Sequence, residues 1–539
     1  MSPIDLPAGP ARPPATGRAL IEALMRPERY PHPVERIDLV ETHLSWVFLT
    51  GSYAYKIKKP LDLGFADFST LERRHHCCRE ELRLNARYAP DLYLEVVTIR
   101  DTPRGPALHG EGPAVEYAVK MRQFPADALG ARMIEAGALS LDHARGLGDT
   151  VAGFHARAAI ARQGTPWAEP ESVLGSALEN IAHMLRLRLP EQETLKLQAL
   201  WSWTEARFAG LRETFARRKA EGFVRECHGD LHLANLVMLD GALAPFDGIE
   251  FNDALRWTDV AADVAFAVMD FAAHRRGDLG VTFLNAWLEH SGDYGALEPM
   301  RFYLVYRALV RAKVALLRRA PDHEEFMRYL GTAQGYARPG AGAVFIMHGL
   351  SGSGKTTVAG ALARALGAVH VRSDVERKRL AGQPAAARTH SGIGGGIYGE
   401  EGTRATYARL ATLAAGIAGA GFAVIVDAAF LRHWQRELLR RAARGAQVPF
   451  TIVSVRAEER TLRERVKARH AAASDASEAD GAVLEHQLAA QDPLFGDELL
   501  GTLTLDATAT LSGPGWSACV RDLLARSGLA AGAGLIPPA

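Results

Sequence analysis

Residues 349–356 read Gly-Leu-Ser-Gly-Ser-Gly-Lys-Thr and satisfy every fixed position of the pattern G-x-x-x-x-G-K-[ST]. Glycines at these positions let backbone N–H groups curl around phosphate oxygens, and the N-terminus of a following helix adds a favourable dipole. Gly349, Ser351, Gly352, Ser353, Gly354 and Thr357 are therefore the expected cradle. Lys355 is expected to reach the β- and γ-phosphates, and the Thr356 hydroxyl to bind Mg²⁺. Two carboxylates follow. Asp427 closes the apolar run Val424-Ile-Val and is expected at the Mg²⁺; Asp374, in Arg372-Ser-Asp-Val-Glu-Arg377, is placed to take a proton from a substrate hydroxyl. An aspartate after a strand also serves as a helix N-cap, so that alternative stays open for both. Five arginines lie between Arg456 and Arg469. Arg465 and Arg469, four apart and so on one helix face, are the two expected to neutralise a transferring phosphoryl group. The others read as a solvated, Glu-paired face.

A second constellation stands earlier in the chain. Cys227-His-Gly-Asp230-Leu-His232-Leu-Ala-Asn235 puts an aspartate and an asparagine five residues apart in one tight loop. Asp230 can orient and deprotonate a hydroxyl while Asn235 binds a metal. Asp247, beyond a hairpin and in a Phe-Asp-Gly setting, supplies a second metal carboxylate. Taken singly, His228 and His232 read as hydrogen-bonded core histidines.

These groups need elements to hold them. Trp46–Leu49 and Tyr53–Ile57 alternate as strands around a Gly51-Ser52 turn. Leu71–Tyr88 reads as a charged amphipathic helix, and Leu94–Ile99 and Val115–Met121 as strands. Residues 140–217 read as mainly helical, 228–247 as loop and hairpin, and helices resume to about Leu330. Gly335–Gly342 clusters Gly and Pro without periodicity and reads as a linker. Beyond it, the short apolar runs 343–347, 369–371, 422–426, 450–455 and 503–505 alternate with helical segments, which predicts a parallel, doubly wound sheet. Val358, Ala361, Leu362, Ala365 and Leu366 fall on one face of the helix after the phosphate loop.

Composition narrows the classes. The chain has 539 residues, 48% hydrophobic and 23% charged, enough for more than one core and too apolar for a disordered chain. Sixty-three basic against 62 acidic residues leave a net charge of +1, so a broad nucleic-acid or membrane footprint is not expected. The four cysteines contain no CxxC pair, which speaks against a disulfide framework or structural zinc and for a reducing cytoplasm. Residues 1–17 read as a flexible, Pro-rich leader without an apolar signal core, and 526–539 as a flexible tail. Leu410–Val426 is uncharged but broken by Gly416, Gly419 and Gly421, so it reads as a helix end, a turn and a core strand rather than a membrane span.

The phosphate loop, Ser373-Asp374-x-x-Arg377, Asp427 and the arginine-bearing segment resemble the small P-loop kinases, a group including gluconate kinase and zeta-toxin-like kinases. His-Gly-Asp-x-His-x-x-Asn resembles the aminoglycoside phosphotransferase and choline kinase group of protein-kinase-like fold. That second resemblance implies that Lys56 contacts the α- and β-phosphates and that Glu81 is its helix partner, with Glu80 next. It also implies that Asp259 and Asp263 brace the catalytic loop. No Gly-x-Gly-x-x-Gly precedes Lys56. The whole chain, with Glu41–Gly51 and Tyr55–Leu61, looks like a family of two-domain bacterial proteins that fuses the two types.

The expected organisation is an α+β protein-kinase-like domain at 18–334, a linker at 335–342 and an α/β P-loop kinase domain at 343–525. What this resemblance implies is a cytoplasmic, ATP- and Mg²⁺-dependent phosphotransferase acting on a small-molecule hydroxyl, without membrane or nucleic-acid partners. The alternative is a nucleotide-sensing regulator whose N-terminal half is a pseudokinase.

Overall fold

The computed structural model describes residues 15–318, 320–384, 387, 396–472, 481–506 and 511–529. The first half opens with a six-stranded antiparallel sheet of β1 (Asp38–Glu41), β2 (Ser45–Leu49), β3 (Tyr53–Lys58), β4 (Tyr93–Thr102), β5 (Gly105–Ala107) and β6 (Ala114–Arg122), in the order β1-β2-β3-β6-β4-β5. β3 is buried along nearly its whole length because both sheet faces are covered. Tyr55 and Ile57 pack on the face with Leu20, Leu24 and Tyr30. The period of two therefore turns Ala54, Lys56 and Lys58 to the other face, where Ala54 packs with Cys78 of the helix Leu71–Asn85. Two lysines are thereby aimed at that helix. It begins at an N-cap, Thr70, which accepts from Arg73 N–H, and it ends at Asn85, short of the expected Tyr88.

The rest of this half is helical, with two small sheets that carry the loops. β7 (Val224–Glu226) pairs with β10 (Trp257–Asp259), and β8 (Leu236–Leu239) forms a hairpin with β9 (Ala242–Pro245). His228–Asn235 runs from β7 to β8, and Asp247 follows β9. The helices Val260–Ala273 and Gly277–Ser291 lie beneath, the first of them buried almost throughout.

The second half is a five-stranded, all-parallel sheet of β11 (Ala343–His348), β12 (Val369–Arg372), β13 (Ala423–Asp427), β14 (Phe450–Arg456) and β15 (Thr502–Asp506), in the order β12-β13-β11-β14-β15. Together the halves are an α+β domain, an antiparallel sheet with a helical lobe, and an α/β P-loop domain. The segment Leu410–Val426 is the end of the helix Glu400–Gly419, a turn and β13. Among the described residues no helix is long and apolar enough to cross a membrane.

Two features differ from the reading of 335–342 as a linker. The helix His323–Ala337 runs through Gly335 and Tyr336, both buried. A Cβ on Gly342 would stand 2.1 Å from the Ala418 carbonyl oxygen, so this glycine serves a close backbone approach. Nor does each half keep a separate core. The apolar core of the helical lobe, with Leu284, Leu288 and Tyr336, continues into the sheet face bearing Val344, Ile346, Val424 and Val426. The opposite sheet face packs on the helices Lys355–Leu366 and Gly513–Ser527, so Ser527, expected in the frayed tail, is buried.

Candidate active sites in the two halves

In the first half, Lys56 and Lys58 meet a buried carboxylate cluster. Lys56 Nζ lies 2.8 Å from Glu81 Oε1 and is also paired with Asp247. Lys58 Nζ lies 2.5 Å from Glu81 Oε2 and is also paired with Glu250. Glu80 instead pairs with Arg83 at the surface, 2.7 Å away, so the structure brings Glu81 and not Glu80 to the lysine. Burial disfavours charge on Lys56, yet Asp247, Glu81 and Glu250 outweigh it and hold the ammonium well above its ordinary range. Glu250, buried on the other side of Lys58 from Glu81, is pushed up by burial. The sequence reading passed over both Lys58 and Glu250.

The loop after β7 is built as a scaffold for Asp230. Asn235 Nδ2 donates to Asp230 Oδ2 at 2.9 Å and to its carbonyl oxygen at 3.0 Å. His232 Nε2 lies 3.2 Å from the same carboxylate oxygen. Arg311, on the helix Leu297–Leu317, approaches His232 Nε2 at 3.2 Å. The Asp230 side chain is 35% exposed, so a substrate hydroxyl can reach it. Burial pushes its carboxyl up, but His232, Arg311 and His228 outweigh this and hold it well below the usual carboxylate range. His228 does not face the cleft as a catalyst. Its Nε2 is 2.9 Å from the Phe246 carbonyl oxygen and its Nδ1 accepts from the Asp230 N–H, which ties the loop to Asp247. Burial lowers its pKa. Asp247 takes φ +60° and is 40% exposed.

Asp263 braces this loop, as expected from its resemblance, and does so through the backbone. It accepts from the N–H groups of His228 (3.1 Å) and Gly229 (2.9 Å) and bonds His155 Nε2 at 3.1 Å. His155 Nδ1 accepts from Trp287 Nε1 at 3.1 Å. Asp259 does something else: it caps the helix Val260–Ala273 and binds Arg218 at 2.7 Å. The cap position, with a free N–H at Ala261, takes the carboxylate before the loop can. Asp270, unremarked in the sequence, receives the Leu233 N–H at 2.8 Å. Asp263→Ala leaves two backbone N–H groups and an imidazole N–H without their acceptor. The expected loss is about 3–5 kcal/mol in unfolding free energy, read by denaturant titration. His155 and His228 hold the Asp263 carboxyl below its ordinary range against the effect of burial. Its contribution is therefore full above the unfolded value of about 3.9 and is lost as pH falls through the lower folded value. Wild type loses stability there with acid more steeply than Asp263→Ala does.

In the second half, Gly352 and Gly354 take φ +85° and +87°, the left-handed backbone by which the loop turns its N–H groups inward. Gly354 is the N-cap of the helix Lys355–Leu366. Lys355 Nζ donates to the loop's own Leu350 carbonyl at 2.8 Å. Ser353 is buried, and its hydroxyl makes no hydrogen bond. Thr357 is exposed one residue beyond Thr356 on the same first turn. The Ser351 N–H donates to Gln487 Oε1 at 2.8 Å, so the helix Gly481–Ala490 reaches the cradle. A cavity of about 480 Å³ adjoins the loop, lined by Ser353, His348, Ser454 and Arg456. Burial, with Arg436 and Lys355 nearby, pushes His348 down to about 4.

Asp427 is buried, near Thr356 and Lys355 and 3.3 Å from His370 Nε2. Against burial, His370, Lys355 and Thr356 hold its carboxyl below the ordinary range. Asp374 lies in the first turn of Ser373–Leu380, just past the register pair Arg372–Asp427, so both carboxylates stand at the same end of the sheet. Arg465 is exposed on the helix Glu459–Ala472, its Nη1 3.7 Å from where a Gly354 Cβ would be. Arg463 pairs with Glu459 at 2.6 Å, the solvated face expected of part of this run. The Arg469 side chain lies outside the described residues.

A family profile described as "AAA domain" matches residues 344–494. Over 453 residues, 83% of this chain and 89% of the relative, the sequence is 30% identical to the uncharacterized protein Rv2004c of Mycobacterium tuberculosis. The chain belongs to that family. Among solved structures, aminoglycoside 2'-phosphotransferase-IIIa aligns with 59% of this chain and 98% of its own at a TM-score of 0.38 and 14% identity. A gluconokinase from Sinorhizobium meliloti 1021 aligns with 36% and 95% at a TM-score of 0.25 and 23% identity.

Proposed function

We propose that the chain is an ATP-dependent phosphotransferase that moves the γ-phosphate to a hydroxyl of a small molecule, with one phosphoryl-transfer site in each half. One observation carries the reading: the structure assembles from distant parts of the first half a Lys56–Glu81 pair, Asp247, and a partly exposed Asp230 held by Asn235. Phosphoryl transfer asks little of a protein beyond positioning and charge, and these are the groups it asks for.

In the first half, Asp230 accepts the proton of the acceptor hydroxyl as its oxygen bonds to the γ-phosphorus, the bond to the β-phosphate oxygen breaks, and ADP leaves. In the second half, Asp374 takes that proton, Lys355 and the loop N–H groups hold the phosphates, and Arg465 with Arg469 meets the developing charge. Gly349, Ser351, Gly352, Ser353, Gly354 and Thr357 complete the cradle, and Glu81 keeps Lys56 at the phosphates.

The side-chain oxygens of Thr356 and Asp427, and of Asn235 and Asp247, are hard donors of the kind Mg²⁺ prefers. Mg²⁺ bound there neutralises charge on the β- and γ-phosphate oxygens. The unpaired cysteines Cys77, Cys78, Cys227 and Cys519 suit the cytoplasm, where ATP is supplied.

The test is ATP consumption with Mg²⁺ by wild type, Lys355→Ala and Asp230→Ala over a pool of hydroxyl metabolites, with phosphorylated products read by mass. A product lost in one variant names the active half and the acceptor. ATP binding without any product overturns the phosphotransferase reading.

A further inference from the structure

An edge strand presents a row of unpaired backbone groups. β12 is at the edge of the parallel sheet, and an amide side chain of the other half meets its free side. Asn285 Nδ2 donates to the Ala368 carbonyl at 3.1 Å, and Asn285 Oδ1 accepts from the His370 N–H at 2.7 Å. The two bonds are those a neighbouring strand would make. Glu289, one turn along the same helix Gly277–Ser291, accepts from Arg372 Nη1 at 3.4 Å. The residue Asn285 grips is His370, whose ring reaches Asp427 on β13 at 3.3 Å, and Asp427 in turn stands near Thr356 and Lys355 of the phosphate loop.

We propose that Asn285, a residue of the first half, is a positioning residue for the Thr356–Asp427 pair of the second half, acting through β12 and His370. The proposal rests on the reading of that pair as Mg²⁺ ligands. Mg²⁺ demands near-ideal octahedral geometry at about 2.0–2.1 Å, so a small displacement of Asp427 weakens it. The phosphate cradle follows β11, two strands away, whereas the hydrogen bonds of Asn285 go to Ala368 and His370 at β12. Loss of Asn285 therefore acts on the metal and not on the phosphates. Partners that orient a metal ligand from behind are commonly worth about 10–100-fold in affinity.

The experiment is calorimetry on the full chain with ADP as the probe, in EDTA and in Mg²⁺, counting only binding that Lys355→Ala weakens. In wild type Mg²⁺ tightens ADP. In Asn285→Ala that gain shrinks about tenfold, while ADP affinity in EDTA stays within about twofold of wild type. His370→Gln leaves the interface between the halves in place and shrinks the gain comparably, also where Asn285→Ala fails to fold. The double variant is no worse than the weaker single, because the two residues lie on one path. Equal weakening with and without Mg²⁺, or an unchanged gain, overturns the proposal while leaving the ligand reading standing. Absence of any Mg²⁺ gain in wild type overturns that reading and the proposal with it.

Discussion

Lys355→Ala lowers the ATP turnover of the second half about 10²–10³-fold, the usual cost of removing a single charge stabiliser from a phosphoryl-transfer site. The side chain starts the helix Lys355–Leu366 and donates to the Leu350 carbonyl, and it belongs to no apolar cluster. The left-handed Gly352 and Gly354 that shape the loop are untouched. Unfolding should shift by about 1–2 kcal/mol at most, the scale of the polar contacts of one partly exposed side chain. Nucleotide is still drawn to the helix N-terminus and its N–H groups, so binding weakens less than turnover falls. Product formation that depends on Asp230 is unaffected. Lys355-independent turnover in the second half, measured on wild type and variant side by side with a P-loop acceptor, would show that the loop is not its catalytic centre.

The parts of the two sites that were legible in the sequence are those built from contiguous residues. Gly349–Thr356 and His228–Asn235 each carry their geometry locally, through glycine backbone angles and tight-turn bonds such as Asn235 to Asp230. What was not legible comes from far along the chain. Glu250 reaches Lys58, Trp287 reaches His155, and Asn285 reaches His370, and no local spacing encodes a contact that only tertiary packing makes. Some signals have two physical meanings. Glycines at 335–342 signal a flexible linker equally well as a close approach, and here Gly342 packs against Ala418. Aspartates four apart on a helix share a face, but Asp259 sits at the cap and Asp263 in the first turn beyond it, so one satisfies its own helix and the other the loop. A run of arginines reads alike whether each meets phosphate or glutamate; Arg463 has Glu459, and Arg465 stands at the loop. The alternation in Tyr53–Lys58 was legible, yet which face would hold a carboxylate depended on the helix Leu71–Asn85 docking there.

Asp230→Asn lowers acceptor phosphorylation by the first half about 10²–10⁴-fold, the range of a positioned general base. The asparagine keeps the shape and can still accept from Asn235 Nδ2, so the loop held by Asp263 and His228 stays in place. What is lost is the negative charge beside His232 and the ability to take a proton. His232, Arg311 and His228 hold the Asp230 carboxyl low despite burial, which keeps it ionised at neutral pH and makes it a weak base. A weak base adds little driving force to proton transfer, so its larger contribution is to orient the acceptor hydroxyl toward the γ-phosphorus, and the proton follows as the bond forms. Two consequences separate this from an ordinary base with a raised pKa. The kcat/KM profile of wild type shows no acid limb from Asp230 between about pH 5 and 8, because the free enzyme's carboxyl is already ionised there. In Asp230→Asn, kcat falls with little change in KM for ATP, since Lys56, Glu81 and Asp247 still hold the nucleotide. Full acceptor phosphorylation by Asp230→Asn, or an acid limb that disappears with the substitution, would move the chemistry of this half away from Asp230.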